Sequence, residues 1–539
     1  MRRWNGWGDA AVTEPLRPEA LAFLTHAVGT AQPPRDATLE QALQRVAAQT
    51  SRLPPHPRVD TSAAARLDAS FGQSALDWLR LRFGEIGRVT DGVAHPEHAG
   101  DVRELLAWAM DVGASVMPCG GATSVVGHLT PAGPRPVLTL NLGRMVRLLG
   151  LDRQAQLATF EAGVAGPQLE AQLRAHGFTL GHFPQSFEYS TLGGWIATRS
   201  SGQQSARYGR IEQLLAGATV LLPRPPPHDG PLHIRPAPAS AAGPDLREWV
   251  LGSEGRLGVI TEAVVRITPL PEVETFAGVF FPSWDAAQAA VRELAQARLG
   301  VSMLRLANAT ETLTTLAMAG HARPIAWLER YLALRGAGTG KCLLFAGFTG
   351  SAAQVRAMRR LAGQVLARHG GVSTGQALGR KWAAKRFRGV YLRNALWEAG
   401  YAVDTMETAC DWGRTSSMVE AIETAGRQAL AAHGERTHAY THLSHVYPQG
   451  SSVYATFVYR IGADFGSALS RWQTLKQAVS QAIVAQGGTI SHQHGVGRDH
   501  ARWLAAEKGP AGMAAIRAML QHFDPHGVMA PGNLLDDAQ

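Results

Sequence analysis

The sequence predicts an α+β fold in two large mixed units behind an N-terminal helical segment. Three observations carry that expectation. At 539 residues the chain exceeds what one hydrophobic core organises. From Val89 to Thr268 it reads as short strands joined by glycine-rich turns. Beyond Pro269-Leu270-Pro271, strands alternate with amphipathic helices, the pattern of a second layered unit.

Residues 1–85 form the helical segment, because "PEALAFLTHAVG" and "TLEQALQRVAAQ" space their apolar residues by about 3.6 and the Pro-rich joint "SRLPPHPRVD" follows them. Residues 86–271 carry the strand candidates "ASVMPCGGATS", "PVLTLNLG", "LATFEAGV" and "LGVITEAVVRITP". Within them, 222–246 is rich in Pro, Ala and Gly and reads as an excursion between two strands. Residues 272–486 run from the strand "TFAGVFFPS" through helical "WDAAQAAVRELAQARLG" to "VSMLRLANA". They continue with "KCLLFAGFTG", helical "SAAQVRAMRRLAGQVLARHGG", two more strands in "THAYTHLSHVYP" and "SSVYATFVYRIG", and a helix from Asp464 to Gln486. Residues 487–539 form a C-terminal segment that opens near "SHQHGVG".

Composition narrows the class. The three cysteines, Cys119, Cys342 and Cys410, are far apart, which excludes a disulfide framework and a cysteine-rich zinc site and fits a reducing cytoplasm. The net charge of +9 permits anionic partners without choosing one. Its densest cluster, Arg356, Arg359, Arg360, Arg380, Lys381, Lys385, Arg386 and Arg388, reads as a solvated helix face, so nucleic acid is not indicated. No apolar run reaches the roughly 18 residues of a spanning helix. "MRRWNGWGDA" lacks the apolar core of an export signal, and "LLDDAQ" carries no peroxisomal tripeptide.

Three glycine-rich loops carry the chemistry. "PCGGATSVVGH" (118–128) follows a strand and offers backbone N–H groups and two hydroxyls, Thr123 and Ser124, to an anion; a plain tight turn would also want Gly-Gly. "FPQSFEYSTLGGWIATRSSGQQSARYGRIEQ" (183–213) is too rich in small and hydroxylated residues for a good core but suits a large flat cofactor with polar edges. "GSEGRLGVITE" (252–262) sets three glycines before a strand. A rival nucleotide loop, "RGAGTGKCLLF" (335–345), has Arg335 for the first glycine and Cys342 for the Ser or Thr after Lys341, and a strand follows rather than precedes it, so it reads as a turn.

Taken together with "RWNGWG", "MLRLANA", "SSVYATFVY", "GGTISHQHGVG" and the closing "GNLL", these loops resemble the vanillyl-alcohol-oxidase/p-cresol-methylhydroxylase superfamily, and within it the alkyldihydroxyacetonephosphate synthase family. The resemblance implies a two-subdomain FAD-binding domain of the vanillyl-alcohol-oxidase type, an α+β cap (substrate) domain and a homodimer. It places Gly120, Gly121, Thr123 and Ser124 against the FAD pyrophosphate, beside Pro118, Cys119 and Ala122. Ser190, Thr191, Gly193, Gly194 and Thr198 would line the flavin, with Ser186 before them; Glu254, Gly255, Gly258, Val259 and Ile260 would take the dinucleotide's other side. Some relatives carry a flavin-linking histidine where Ala122 stands, so a noncovalent FAD is implied.

The pair His492 and His494 could serve a metal, a substrate or the cofactor. His438, His442 and His445 do not share strand parity, and metal-dependent hydroxyacid dehydrogenases of this superfamily would carry a histidine where Ser452 or Tyr454 stands and a glutamate where Gln493 stands, so no metal is expected. The substrate answer follows from the resemblance: Tyr454, His492 and His494 would be catalytic, and Arg305, His445 and Gln493 would contact substrate, with His445 at an expected phosphate arginine. Imidazoles near neutrality both donate and accept protons. The activity implied is exchange of the acyl group of acyl-dihydroxyacetone phosphate for a fatty alcohol. Gln493 and His445 leave an FAD-linked oxidase or dehydrogenase of a hydroxy acid or alcohol as the alternative. A noncatalytic flavin-binding protein is the third reading, disfavoured by Tyr454, His492 and His494 standing together. Lipid substrates would bring peripheral membrane contact, although no amphipathic segment marks it in the sequence.

Overall fold

The structure, a computed structural model, describes residues 1–224, 230–318 and 322–536. Helix Pro18–Ala27 opens on proline, and Leu39–Ala47 is closed at its start by a reciprocal Thr38–Gln41 capping box. Helix Ala75–Phe83 has the same device in Ser74 and Asp77 and ends at Gly84, φ 73°. The segment is not wholly helical. After Pro54, Pro55 and Pro57, which withhold backbone donors, the chain stays extended and Val59–Asp60 pairs antiparallel with Gly92–Ala94. The N-terminal segment thus lends an edge strand to the next unit.

Besides the short antiparallel pair Phe178–Thr179 and Thr268–Pro269, that unit contains two larger sheets. One orders Val59–Asp60, Gly92–Ala94, Val137–Asn141 and Ser115–Cys119, the last three parallel. The apolar face of helix Ala99–Asp111, through Val102, Leu105, Leu106 and Ala109, packs against Val116, Leu138 and Leu140 of this sheet. The other, antiparallel, orders Leu148–Asp152, Leu157–Glu161, Val259–Arg266, Leu215–Leu221 and Leu232–Ile234. The excursion after Leu221 therefore includes a strand of its own; its residues 225–229, like the terminal 537–539, lie outside the described residues. The chain's end returns here, Met529 bridging to Val116.

The second unit is a seven-stranded antiparallel sheet in the order Val372–Ser373, Val273–Phe281, Cys342–Gly350, Met303–Ala307, His438–Leu443, Gly450–Arg460, Tyr401–Asp411. Residues from helices Trp284–Gln296, Ala352–Arg368, Thr415–Ala431 and Phe465–Ala485 share one apolar core with it. Register does the rest of the positioning: His442 pairs with Tyr454, and Tyr454 with Glu407, across three adjacent strands. Paired residues project from the same face, so these three stand in one row. Residues 335–341 form the turn between helix Ala322–Leu334 and strand Cys342–Gly350. Among the described residues no helix is long and apolar enough to cross a membrane.

Candidate active site

A cavity of about 1120 Å³ lies between the glycine loops of the first unit and the sheet of the second. The loop from Pro118 to Ser124 lines it, as do Ser186, Ser190, Thr191, Gly193, Gly194 and Thr198, and, from the third loop, Glu254, Gly255, Gly258 and Ile260. Val259 does not. It is fully buried in the core with Val116 and Leu138, because successive residues of a strand turn to opposite sides.

The glycines are there because the neighbouring loop packs directly on their main chain. A Cβ at Gly121 would stand 1.8 Å from the Tyr189 carbonyl oxygen, and one at Gly120 2.1 Å from Thr191 Oγ1. Thr191 caps helix Leu192–Thr198, its hydroxyl accepting from the Gly194 N–H. The cavity exceeds the roughly 300–1,000 Å³ of a small-ligand site, with room for a dinucleotide and a second ligand. The residues present fit FAD: small side chains, helix-start N–H groups and hydroxyls on one wall, an apolar floor including Leu142 and Trp195.

Glu254 has another employment. Its backbone is left-handed, φ 53°, and its carboxylate accepts from Val496 N–H at 2.5 Å and Gly497 N–H at 2.8 Å. It also meets His128 Nε2 at 2.9 Å, while His128 Nδ1 meets Ser124 Oγ at 2.6 Å. The carboxylate thus ties the histidine loop to the cofactor loop. Gly495, φ 80°, is required by the same contact, since a Cβ there would sit 2.9 Å from Glu254 Oε1; Gly497, φ 53°, is required by another, its Cβ falling 2.2 Å from the Val126 carbonyl oxygen.

Opposite stands the row across the sheet. The Tyr454 hydroxyl donates to Thr405 Oγ1 at 3.0 Å, and its ring stacks on His442 at 4.9 Å between centroids. Burial raises its pKa, keeping a neutral phenol. Glu407, 3 % exposed, is the residue that sequence reasoning missed. Its Oε1 lies 2.7 Å from His492 Nδ1, and its Oε2 accepts from Gln493 Nε2 at 2.8 Å with His494 Nε2 at 3.7 Å. Burial acts to raise its pKa, yet the attraction of His494 and the hydrogen bond and charge of His492 hold it at about 2. Burial lowers the pKa of His494, against the pull of Glu407. Among the described residues no group of three or more His, Cys, Asp or Glu is arranged to hold a metal ion.

Arg305 donates to Glu311 Oε1 at 2.5 Å, and His442 Nδ1 stands 3.0 Å from Glu311 Oε2 and 3.2 Å from Arg305 Nη2. Glu311, buried, is drawn down to about 2, burial opposing and Arg305 and His442 prevailing. His445 does not supply a cation: burial and the neighbouring His492 hold its pKa well below the ordinary value, and its Nε2 has no hydrogen-bond partner among the described residues. A cation on the cavity wall that sequence reasoning also missed is Arg393. It lines the cavity, donates to the Gln73 carbonyl oxygen at 2.6 Å and lies 4.1 Å from the Trp78 ring centroid. The basic cluster divides. Arg356, Arg359 and Arg360 are exposed, as a solvated face requires, whereas Lys381, Lys385, Arg386 and Arg388 line the cavity.

Acid should unfold the protein in two stages. His182 is buried, its pKa lowered by burial to about 3, and His445 lies well below the ordinary value. The folded state binds these protons less readily than the unfolded chain, whose histidines titrate near about 6.5. Tm should therefore fall as pH drops from 7 to 5. A second loss should follow between about pH 4.5 and 2, as the depressed carboxyls Glu311 and Glu407 are protonated. Calorimetry at stepped pH checks this; a flat Tm between pH 7 and 5 would contradict the first stage.

Residues 270–534 match the family of FAD-linked oxidase C-terminal domains, and residues 90–224 that of FAD-binding domains. An alkyldihydroxyacetonephosphate synthase of Trypanosoma brucei brucei is 29% identical over 573 aligned positions, covering 99% of this chain and 92% of its own. A solved alkyldihydroxyacetonephosphate synthase superposes with a TM-score of 0.81 at 26% identity over 98% of both chains. p-Cresol methylhydroxylase, 15% identical, shares the fold at 0.66 over 95% of this chain and 100% of its own. The chain belongs to the vanillyl-alcohol-oxidase/p-cresol-methylhydroxylase superfamily of FAD enzymes and, within it, is of the alkyldihydroxyacetonephosphate-synthase-like type.

Proposed function

We propose that the protein is an FAD-dependent transferase that exchanges the acyl group of acyl-dihydroxyacetone phosphate for a fatty alcohol, giving an ether-lipid precursor. The observation that carries this is the meeting, in one cavity, of the glycine cradle, Tyr454, His494, Arg305, Arg393 and an apolar arm through Leu16, Leu378, Trp382 and Leu396. Bound FAD supplies a nitrogen nucleophile and an electron sink. Tyr454 would hold and return the proton at the substrate's C1. His494, with Gln493 beside it, would assist the departing carboxylate and take the incoming alcohol's proton. Arg305 and Arg393 would hold the phosphate, and the neutral His442 would keep Tyr454 aligned. His445 stays neutral in the wall.

Acyl-dihydroxyacetone phosphate should bleach the oxidised flavin spectrum in one turnover and release fatty acid, and adding hexadecanol should yield the alkyl product. An unchanged spectrum, or lasting reduction by a hydroxy acid instead, would favour the oxidoreductase alternative.

Membrane contact has a surface to support it. Helix Ala322–Leu334 exposes Trp327 (71 %), Tyr331 and Leu334 (87 %) at spacings of four and three, with Arg323, Arg330 and Arg335 interleaved. Its buried Leu332 packs into the core that includes Met303, Phe345 and Trp382 of the cavity wall. The occupant proposed is an anionic phospholipid bilayer. The double variant Trp327→Ala, Leu334→Ala should cosediment about tenfold less with phosphatidylserine vesicles at unchanged FAD content; unaltered sedimentation, or a change of oligomeric mass instead, would refute this placement. The homodimer and the cytoplasmic location rest on the resemblance and on cysteine usage alone.

A further inference from the structure

His442 is held by one ring nitrogen and open at the other. On strand His438–Leu443 it pairs with Tyr454 on one side and with Ala307 on the other. Arg305 lies two residues before Ala307 on its strand, so Arg305 and His442 share a face. Helix Ala309–Met318 brings in Glu311, whose backbone N–H is fixed on Asn308 Oδ1 at 2.9 Å. The Glu311 carboxylate is ionised and meets both neighbours, Arg305 at Oε1 and His442 Nδ1 at Oε2. Beside an ionised acceptor at 3.0 Å, Nδ1 carries the ring proton, which leaves a lone pair on Nε2. Among the described residues Nε2 has no hydrogen-bond partner, and it is not sealed away as His445 Nε2 is; the ring lines the cofactor cavity with Arg305, Glu311 and Tyr454.

We propose that His442 is a specificity residue for a dianionic phosphate ester: it takes up a proton at Nε2 as the phosphate enters and donates that N–H to a phosphate oxygen. The proposal rests on the function given above and deepens its phosphate subsite. The proton comes from water or buffer and an Nε2–H bond forms. No bond of the ester breaks and no electrons move. When the phosphate leaves, Nε2 gives the proton back to solvent.

The balance of charge favours that uptake. In the empty site Glu311 offsets Arg305, and the charge of Asp404 acts in the same sense on Arg393. A phosphate monoester carries nearly two negative charges above its second pKa of about 6, so these two arginines leave the incoming charge undermatched. The groups around the ring are Arg305 from the adjacent strand, Glu311 from the helix, Tyr454 and Glu407 from the strands on the other side, and Tyr440 and His445 along its own strand. Both phenols and His445 are neutral, and Glu407 is ionised. Burial and Arg305 keep His442 neutral in the empty site. With phosphate bound, Glu311 at Nδ1 and the phosphate at Nε2 flank the ring with two anions, which favours the imidazolium. The face of Tyr454, 4.9 Å away between centroids, suits a cation. A ligand without phosphate brings no second anion, and the ring stays neutral.

The test uses the full-length, FAD-loaded protein, dihydroxyacetone phosphate as the probe, and two variants, each first shown to retain flavin. His442→Asn keeps an amide donor for Glu311 and has nothing in place of Nε2; Glu311→Gln removes the anion at Nδ1. Titration calorimetry in buffers of different ionisation enthalpy counts the protons taken up. The wild type should take up about one proton per phosphate, and because the complex holds a proton that the free site lacks, its affinity should fall about tenfold from pH 7 to 8. His442→Asn should bind about tenfold more weakly, with no uptake and a flat pH profile. Glu311→Gln should also lose the uptake yet bind within about threefold of wild type, because the charge of Arg305 is released as the imidazolium is lost. Binding by the wild type without uptake, or wild-type uptake in His442→Asn, overturns the role of His442 and leaves the transferase reading standing. The expected uptake in a protein that makes no alkyl product from acyl-dihydroxyacetone phosphate and hexadecanol overturns the transferase reading and leaves the role of His442. Failure of the wild type to bind the probe overturns both.

Discussion

Tyr454→Phe should retain FAD and fold yet lose turnover by about 10²–10⁴-fold, the range general acid–base catalysis contributes. Among the described residues the phenol makes one hydrogen bond, to Thr405, worth about 1 kcal/mol of stability. The ring keeps its stacking on His442 without the hydroxyl. A small change in Tm with a large fall in kcat is therefore the expected signature, and KM should stay near its wild-type value because the phosphate would be held by Arg305 and Arg393. The pH profile adds a second readout. Burial raises the phenol's pKa, so the wild type should hold its activity well above neutrality, with no alkaline loss near the usual tyrosine value of about 10. Single-turnover flavin absorbance with stopped-flow mixing measures both; a variant within about threefold of wild type removes Tyr454 from the chemistry.

How much of this was legible beforehand depends on the range of the interaction. Capping boxes and turn glycines are local, so the helices Leu39–Ala47 and Phe465–Ala485 and the three cofactor loops could be read from adjacent letters. Glu407 could not. In "DTMETACDW" it is one polar residue on an eleven-residue strand, and its value comes from a register with Tyr454 and from a loop 85 residues later, neither of which a single sequence displays. Arg393 was hidden for a similar reason: it lies at the start of an ordinary helix, Leu392–Glu398, and matters because the fold brings it into the cavity. His445 went the other way. Its charge was weighed as a phosphate anchor, but burial beside His492 removes that charge, an effect of dielectric and neighbours with no sequence signal. Val259 was misplaced by one residue of strand parity, enough to turn a side chain from cavity to core.

Glu254 offers the sharper test of how the two halves of the site depend on each other. Backbone preference alone would put glycine at a φ of 53°, yet a glutamate stands there. Replacing it with glycine would relax the main chain, so any loss on substitution must come from the side chain. That loss should be large. Three hydrogen bonds to the carboxylate, from Val496, Gly497 and His128, are made out of water, and their removal leaves two buried N–H groups without acceptors. At about 1–3 kcal/mol for each stranded group, the cost outweighs the relief of strain, which is of order 1–3 kcal/mol in total. Glu254→Gly should therefore lower Tm, free the loop that carries His492 and His494, and, because His128 would lose its orientation toward Ser124, weaken FAD binding by about tenfold or more. Glu254→Gln separates shape from charge: its amide keeps one acceptor but turns an NH₂ toward donors, so it should fall between wild type and glycine. Ser124→Ala, which removes only the far end of the chain, should cost less than either. Flavin release followed by fluorescence, alongside Tm, orders the three variants; if Glu254→Gly keeps its flavin and melts with the wild type, the cofactor loop and the histidine loop are held independently and the clamp is not what joins them.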